Sequence, residues 1–345
     1  MKTEINIAIG LLMLASPAFA GGSPAKAPLF TVVPLVSNQA GVAKVTDPNL
    51  INPWGLAQVS PSSPLWVSDA GTGLSTVYDQ GTGQNTGLVV TIPGGSPTGT
   101  VYVSGGGFKV TENSKSASAE FLFDSLTGVI SGWAPSVDAT NAVTAYDGSA
   151  QGSSYTGLAI DTSSHLLFAA DFANNQVQIF NDQFVVQSSF TDTTLPKGYS
   201  PFNVAIIGGQ VYVAFAQGGG SDFTKIPKAG AGYVDIFTES GTLVKQLIAK
   251  GKLDGPWGMA IAPSTFGSFA GSLLVGNLDN GMINAYDPSA GTYLGTLSTK
   301  KGKPIIISEL WALDAAPNGD ITFSSGPAGY SAGLVGLIEI KAKKN

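Results

Sequence analysis

The chain alternates in short bursts. Val177-Gln178-Ile179-Phe180 and Val234-Asp235-Ile236-Phe237 set apolar side chains about a polar one, the period-two pattern of a half-buried β-strand. Other runs, such as Leu273-Leu274-Val275-Gly276, are apolar throughout, as a strand covered on both faces should be. Between the runs stand Ser-Pro, Gly-Thr-Gly and Pro-Gly-Gly, which end strands and form tight turns.

These bursts fall into six units. Strands are expected at 53–59, 64–70, 74–80 and 87–93, then at 99–103, 119–124, 128–134 and 142–147. The third unit reads 155–161, 165–171, 176–181, 187–192, and the fourth 201–207, 210–217, 232–238, 243–249. The fifth reads 257–263, 272–278, 282–287, 293–298. The sixth supplies only 310–315, 320–325 and 334–341, and its missing strand is expected at 29–36. Pairing the two chain ends closes a ring and leaves no raw sheet edge.

One motif counts the units. Asn52-Pro53-Trp54-Gly55 returns as Gly255-Pro256-Trp257-Gly258 and, reduced, as Leu310-Trp311-Ala312. Trp54 to Thr156 is 102 residues, or two units; Thr156 to Asn203 is 47, and the next two steps, to Trp257 and Trp311, are 54 each. A unit near 50 residues with four strands predicts an all-β, six-bladed propeller. A β-sandwich fits the even spacing less well.

Composition agrees. With 45 Gly and 20 Pro in 345 residues, yet 43% hydrophobic, the chain suits many short strands rather than disorder. Lys2, the apolar run 5–14 and Ala18-Phe19-Ala20 read as a secretory leader over 1–20. That leaves 21–345 as one propeller domain, exported to the periplasm or beyond. No later run reaches the roughly 18 apolar residues of a membrane span. With no Cys, there is no disulfide framework, thiol nucleophile or thiolate metal site. All 17 basic residues are Lys, the net charge is −6 and no basic stripe exists, so nucleic acid is not an expected partner. A monomer is expected.

Asp47 through Gly55, with the motif Asn52-Pro53-Trp54-Gly55, resembles the opening of a family of exported bacterial propeller proteins of unassigned activity. Phe121–Trp133, Leu195-Pro196-Lys197-Gly198-Tyr199-Ser200-Pro201-Phe202 and the block 255–287 resemble it too. Tyr155–Phe180 is similar to the broader NHL and gluconolactonase-like six-bladed propellers. The exported family brings no established catalytic residues. It often carries an acidic-and-His loop near its last strand, where this chain reads Gly326-Pro327-Ala328-Gly329-Tyr330-Ser331-Ala332-Gly333.

Propeller topology gathers two sets of loops on one face. Those entering the inner strands hold Asn52, Trp54, Asn203, Asp254, Trp257, Glu309 and Trp311. Those joining second to third strands hold Asp69, Asp171 and Asn277. Ligand sites favour such concave mouths, so an unknown small molecule, glycan or protein is expected there. The tryptophans either stack on that ligand or pack between blades. Asp69, Asp171 and Asn277 either reach the ligand or cap turns. A calcium ion is the alternative occupant, wanting roughly six to eight oxygens. Asp254 and Glu309 are the acids near inner-strand entries, and Asn203 and Asn52 could join them. The gluconolactonase-like resemblance implies a Glu, Asn and Asp set around this channel, but Asn52 stands where an acid would be expected.

The loop 218–231, Gly-rich with Asp222, Lys225 and Lys228, is expected on the same face as a lid or contact. Gly329-Tyr330-Ser331-Ala332-Gly333 matches the serine-hydrolase pattern, but no helix follows to make the required elbow. The single His165 is expected at the opposite end of its strand, too far for a triad and alone too few for a His-rich metal site. The favoured function is a binding module at the mouth. The alternatives are a metal-assisted hydrolase or lactonase there, or a structural surface or matrix protein.

Overall fold

The computed structural model describes residues 29–60, 62–218, 230–316 and 318–340. The leader expected at 1–20 and most of the loop 218–231 lie outside these residues. Within them the chain is a six-bladed β-propeller. Blade 1 is Pro53–Ala57, Leu65–Asp69, Leu74–Tyr78 and Asn85–Thr91. Blade 2 is Pro97–Tyr102, Phe121–Ser125, Val129–Trp133 and Val143–Asp147, and blade 3 is Tyr155–Asp161, Leu166–Asp171, Gln176–Phe180 and Val186–Phe190. Tyr199–Ile207, Gln210–Gln217, Gly232–Phe237 and Leu243–Ala249 form blade 4. Pro256–Ile261, Leu273–Asn277, Ile283–Tyr286 and Tyr293–Thr296 form blade 5.

In each of these sheets the strands run antiparallel in chain order from the axis outward. Blade 6 completes the ring as expected. Leu310–Ala315, Ile321–Ser325 and Leu334–Ile340 are joined by the N-terminal strand Leu29–Ser37. That strand pairs antiparallel from Phe30 against Ile340 to Ser37 against Leu334. The sequence pattern did not separate one feature of blade 2: a hairpin, Lys109–Glu112 with Lys115–Ser118, inserted between its first two strands. Its polar, Ser-rich residues give little apolar alternation to read.

Side chains fill the wedges between blades. Phe168, Ile179, Val211, Phe215 and Phe237 make one such core between blades 3 and 4, and Leu274, Ile283, Leu310 and Phe323 another between blades 5 and 6. The inner strands follow one another around the axis, each the unpaired edge of its own sheet. Their close approach explains the glycine of the repeated motif. A Cβ on Gly55 would stand 2.5 Å from the carbonyl oxygen of Thr98 in the next blade, and one on Gly258 2.5 Å from that of Trp311. No side chain fits there without moving backbone. The inner strands are bulged at this point, between Pro53 and Leu56 and between Pro256 and Met259, for example.

One wedge holds an acid pair. Asp235, on the third strand of blade 4, is fully buried, and Asp192, from the end of blade 3, is 6% exposed. The Thr194 N–H donates to Asp192 at 2.7 Å. Burial, then a shared proton with Asp192 and its charge, push the Asp235 carboxyl up to about 8. The native state therefore holds a proton that the unfolded chain releases near pH 4, and stability falls as pH rises through that window. Asp235→Asn keeps the donor and removes the titration. Its stability relative to the parent should improve by up to about 1.4 kcal/mol per pH unit from pH 4 to 8 and level off above. Denaturant melts across that range check this; a difference independent of pH would refute it.

Candidate functional site

The inner-strand entries share a backbone turn. Asn52, Gly255 and Glu309 occupy the same position in blades 1, 5 and 6, and all are left-handed, with φ of 49°, 62° and 48°. Gly and Asn tolerate that region. The turn swings the next residue but one, a tryptophan in each case, over the axis. Asn52 also accepts a hydrogen bond on Oδ1 from Trp311 Nε1, at 3.1 Å.

The tryptophans meet there and close the channel. Trp54 stacks on Trp311 with ring centroids 3.4 Å apart, and Trp257 stands edge-on to both at 6.0 and 5.8 Å. Phe202 fills the fourth place, 5.9 Å from Trp311, and Phe172 packs behind it. The other two blades contribute Thr98 and Thr156 at the matching position. Being small, these leave room for the large rings. The Trp257 Nε1–H reaches across to the carbonyl of Thr156 at 2.8 Å. Trp54 and Trp311 are 0% exposed and Trp257 4%, so the expected mouth presents no open aromatic platform. Sequence reasoning missed Phe202, although Pro201-Phe202 aligns with Pro53-Trp54.

Asn203 stands where other blades carry the motif's glycine or, in blade 6, Ala312. Its side chain spans the blade junction, Nδ2 donating to the Trp257 carbonyl at 2.8 Å and Oδ1 accepting from Val204 N–H at 2.8 Å. Asp69, Asp171 and Asn277 all end second strands at the same face, fully buried, and all three bond locally. Asp171 accepts from Ser154 N–H and the Asn174 amide. Asn277 accepts from Asp254 N–H and donates to Lys252 O. Asp69 accepts from the Thr76 hydroxyl at 2.7 Å, and burial holds its carboxyl well above the usual range despite that bond.

Asp254 and Glu309 reach the same rim, flanking blades 5 and 6. Asp254 Oδ1 and Glu309 Oε2 are buried without a hydrogen bond among the described residues. Burial raises the Asp254 carboxyl, and the Asn280 amide pulls the other way. Among the described residues no three Asp, Glu, His or Cys side chains come close enough to hold a metal ion. Asp254 and Glu309 by themselves supply fewer oxygens than the roughly six to eight that calcium takes. Ser331 lies in a turn, its hydroxyl donating to Ala328 O. His165 is exposed on a left-handed turn at the far end of its blade.

Behind the aromatic plug the channel is hollow. A cavity of about 490 Å³ runs along the axis, lined by residues of all six inner strands. Trp257 and Asn203 belong to its lining, and Leu56, Val101, Leu158, Val204 and Met259 supply apolar wall. Exposure rises along each inner strand away from the plug: Gln58, Tyr102, Ile206 and Asp314 are partly exposed where the entry residues are buried. The opening therefore lies on the face opposite the expected mouth. Gln58 and Asp314 were also missed. Each is a lone polar residue at a strand end, and no pattern in the chain marks it as facing the axis.

Two proteins of Acanthamoeba polyphaga mimivirus resemble the chain along most of its length. Uncharacterized protein L690 is 32% identical over 322 residues, spanning 88% of this chain and 84% of its own. Uncharacterized protein R648 is 31% identical over 319 residues, spanning 88% and 78%. The chain belongs to their family. No protein-family model matches this member of it. Among solved structures, a virginiamycin B lyase from Staphylococcus aureus superposes with a TM-score of 0.54, covering 90% of this chain and 99% of the lyase at 10% identity. A streptogramin B lyase gives 0.55, with 90% and 98% covered, also at 10%. At that identity the likeness is one of fold.

The plug makes a stability prediction. Trp311→Ala removes a fully buried ring from a cluster of three indoles and should cost about 3–5 kcal/mol by chemical denaturation. A loss below 1 kcal/mol would mean the rings are not packed as described.

Proposed function

We propose that this protein is an exported binding module whose ligand is a small molecule held in the central channel. One observation carries the reading: a cavity of about 490 Å³ lined by all six inner strands, with buried indoles packed at one end of the channel. That volume lies within the range of small-molecule sites, which pair apolar walls with a few placed polar groups. Here much of the wall is aliphatic, and Gln58, Thr100, Tyr102, Asn203 and Asp314 supply side-chain polarity. The unpaired edges of six sheets add backbone N–H and C=O groups that no neighbouring strand uses. Of the residues expected to bind, Trp257 and Asn203 remain in this site, as part of its lining.

A small-fragment screen by ligand-observed NMR tests it. Fragments should bind the parent protein. Ile206→Trp, at the partly exposed rim, should weaken them at least about tenfold, or 1.4 kcal/mol, with the melting temperature little changed. Equal binding to both proteins would place the fragments elsewhere and sink the channel site.

Export rests on the pattern at 1–20. Intact mass of the secreted protein should begin at Gly21; retention of the leader, or a different start, would overturn it.

A further inference from the structure

The cavity has one charged side chain in its lining, and that side chain is held in place. Asp314 stands at the end of the inner strand of blade 6 and faces the end of blade 1 across the junction between those two blades. Its Oδ1 accepts the Ala315 N–H at 2.8 Å, and its Oδ2 accepts Gln58 Nε2–H at 3.0 Å. Gln58 Nε2 also donates to Ala315 O at 2.7 Å, which ties the amide to both sides of the carboxylate. Gln80 then donates from Nε2 to Gln58 Oε1 and to Ser63 O. Gln58 directly and Gln80 through it, both from blade 1, thus hold one carboxylate at the wall of an otherwise uncharged cavity.

We propose that the channel takes a small organic cation, a protonated amine with an apolar body, and that Asp314 is the residue that selects it. This rests on the channel being the binding site. A carboxylate accepts up to four hydrogen bonds; the two that are made leave lone pairs for an ammonium donor. No Lys lines the cavity, so nothing in the wall competes for the charge or repels a cation. Burial pushes the Asp314 carboxyl up to about 6, against the pull of the Ala315 N–H and the Gln58 amide. That is the signature of a charge whose desolvation is incompletely offset, and a bound cation supplies the missing compensation. The remaining walls, Leu56, Val101, Leu158, Val204 and Met259, suit a hydrocarbon body. A bare metal ion would leave most of the volume and all of that wall unused. Gln58, itself part of the lining, also acts as a positioning residue through its bond to Asp314.

The test compares benzylammonium with its neutral near-isostere benzyl alcohol, by NMR titration of the full mature protein at pH 8. The parent should bind benzylammonium at least about tenfold more tightly than benzyl alcohol. Asp314→Asn keeps the acceptor for Ala315 N–H and should fold. It should bring benzylammonium down to the level of the alcohol while leaving alcohol binding unchanged. Gln58→Leu should weaken benzylammonium more than the alcohol. If Asp314→Asn binds benzylammonium as the parent does, or the parent does not distinguish the two probes, the selection by Asp314 is refuted and channel binding still stands. If calcium chloride displaces benzylammonium but sodium chloride at equal ionic strength does not, the carboxylate is a metal ligand and the inference also fails. If neither probe binds the parent, the inference falls, and the broader fragment screen decides the channel by itself.

Discussion

Six twisted sheets can share an axis only if their inner strands approach backbone to backbone at one end. That contact sets most of what is distinctive here. It requires no Cβ at Gly55, Gly99, Gly157 and Gly258, where the neighbouring blade lies too close for one. Blades 4 and 6 carry Asn203 and Ala312 there instead, and the Asn203 side chain itself bridges to the Trp257 carbonyl. The same closeness leaves a narrow throat that three indoles and Phe202 fill. Farther along, the twist of the sheets spreads the strands and the throat widens into the cavity. Plug and pocket are two consequences of one geometric demand.

The acids around the ring show how a chain with no Arg and only 17 Lys manages buried charge. Asp69, Asp124 and Asp235 are fully buried and all have raised carboxyl pKa values, desolvation leading in each. Asp124 accepts from Thr98 Oγ1 and Gly99 N–H, so it braces the inner strand of blade 2 from behind. Surface acids behave in the opposite way. Asp79, Asp138, Asp147 and Asp287 sit in Asx turns, and hydrogen bonds from turn residues hold their carboxyls below the usual range.

The fold was legible because propellers repeat. Pro53-Trp54-Gly55 and Pro256-Trp257-Gly258 carry both the turn and the contact that make a blade, so spacing alone counted them. Ring closure by 29–36 followed from a strand missing in the last unit, and the structure pairs Leu29–Ser37 there. The site was less legible. Sequence places Trp54, Trp257 and Trp311 at one face, yet says nothing of whether three rings meet or line an opening. That depends on throat width, which the small Thr98 and Thr156 opposite them help to set. The turn role of Asp171 and Asn277 was readable from residue type. Asp314 was not, because its environment comes from Gln58, which lies 256 residues away in sequence.

The closing seam bears on how the molecule comes to exist. Residues 29–37 pair with 334–340, so about 300 residues of chain separate the two sides of the seam. Blades 1 to 5 are local four-strand units that can form in order, but the sixth must wait for both ends of the chain. Such a long-range pairing makes the final step slow relative to the hairpins. Closure buries Val36 and Leu337 in one cluster, so a ring left open would present apolar surface at both of its ends.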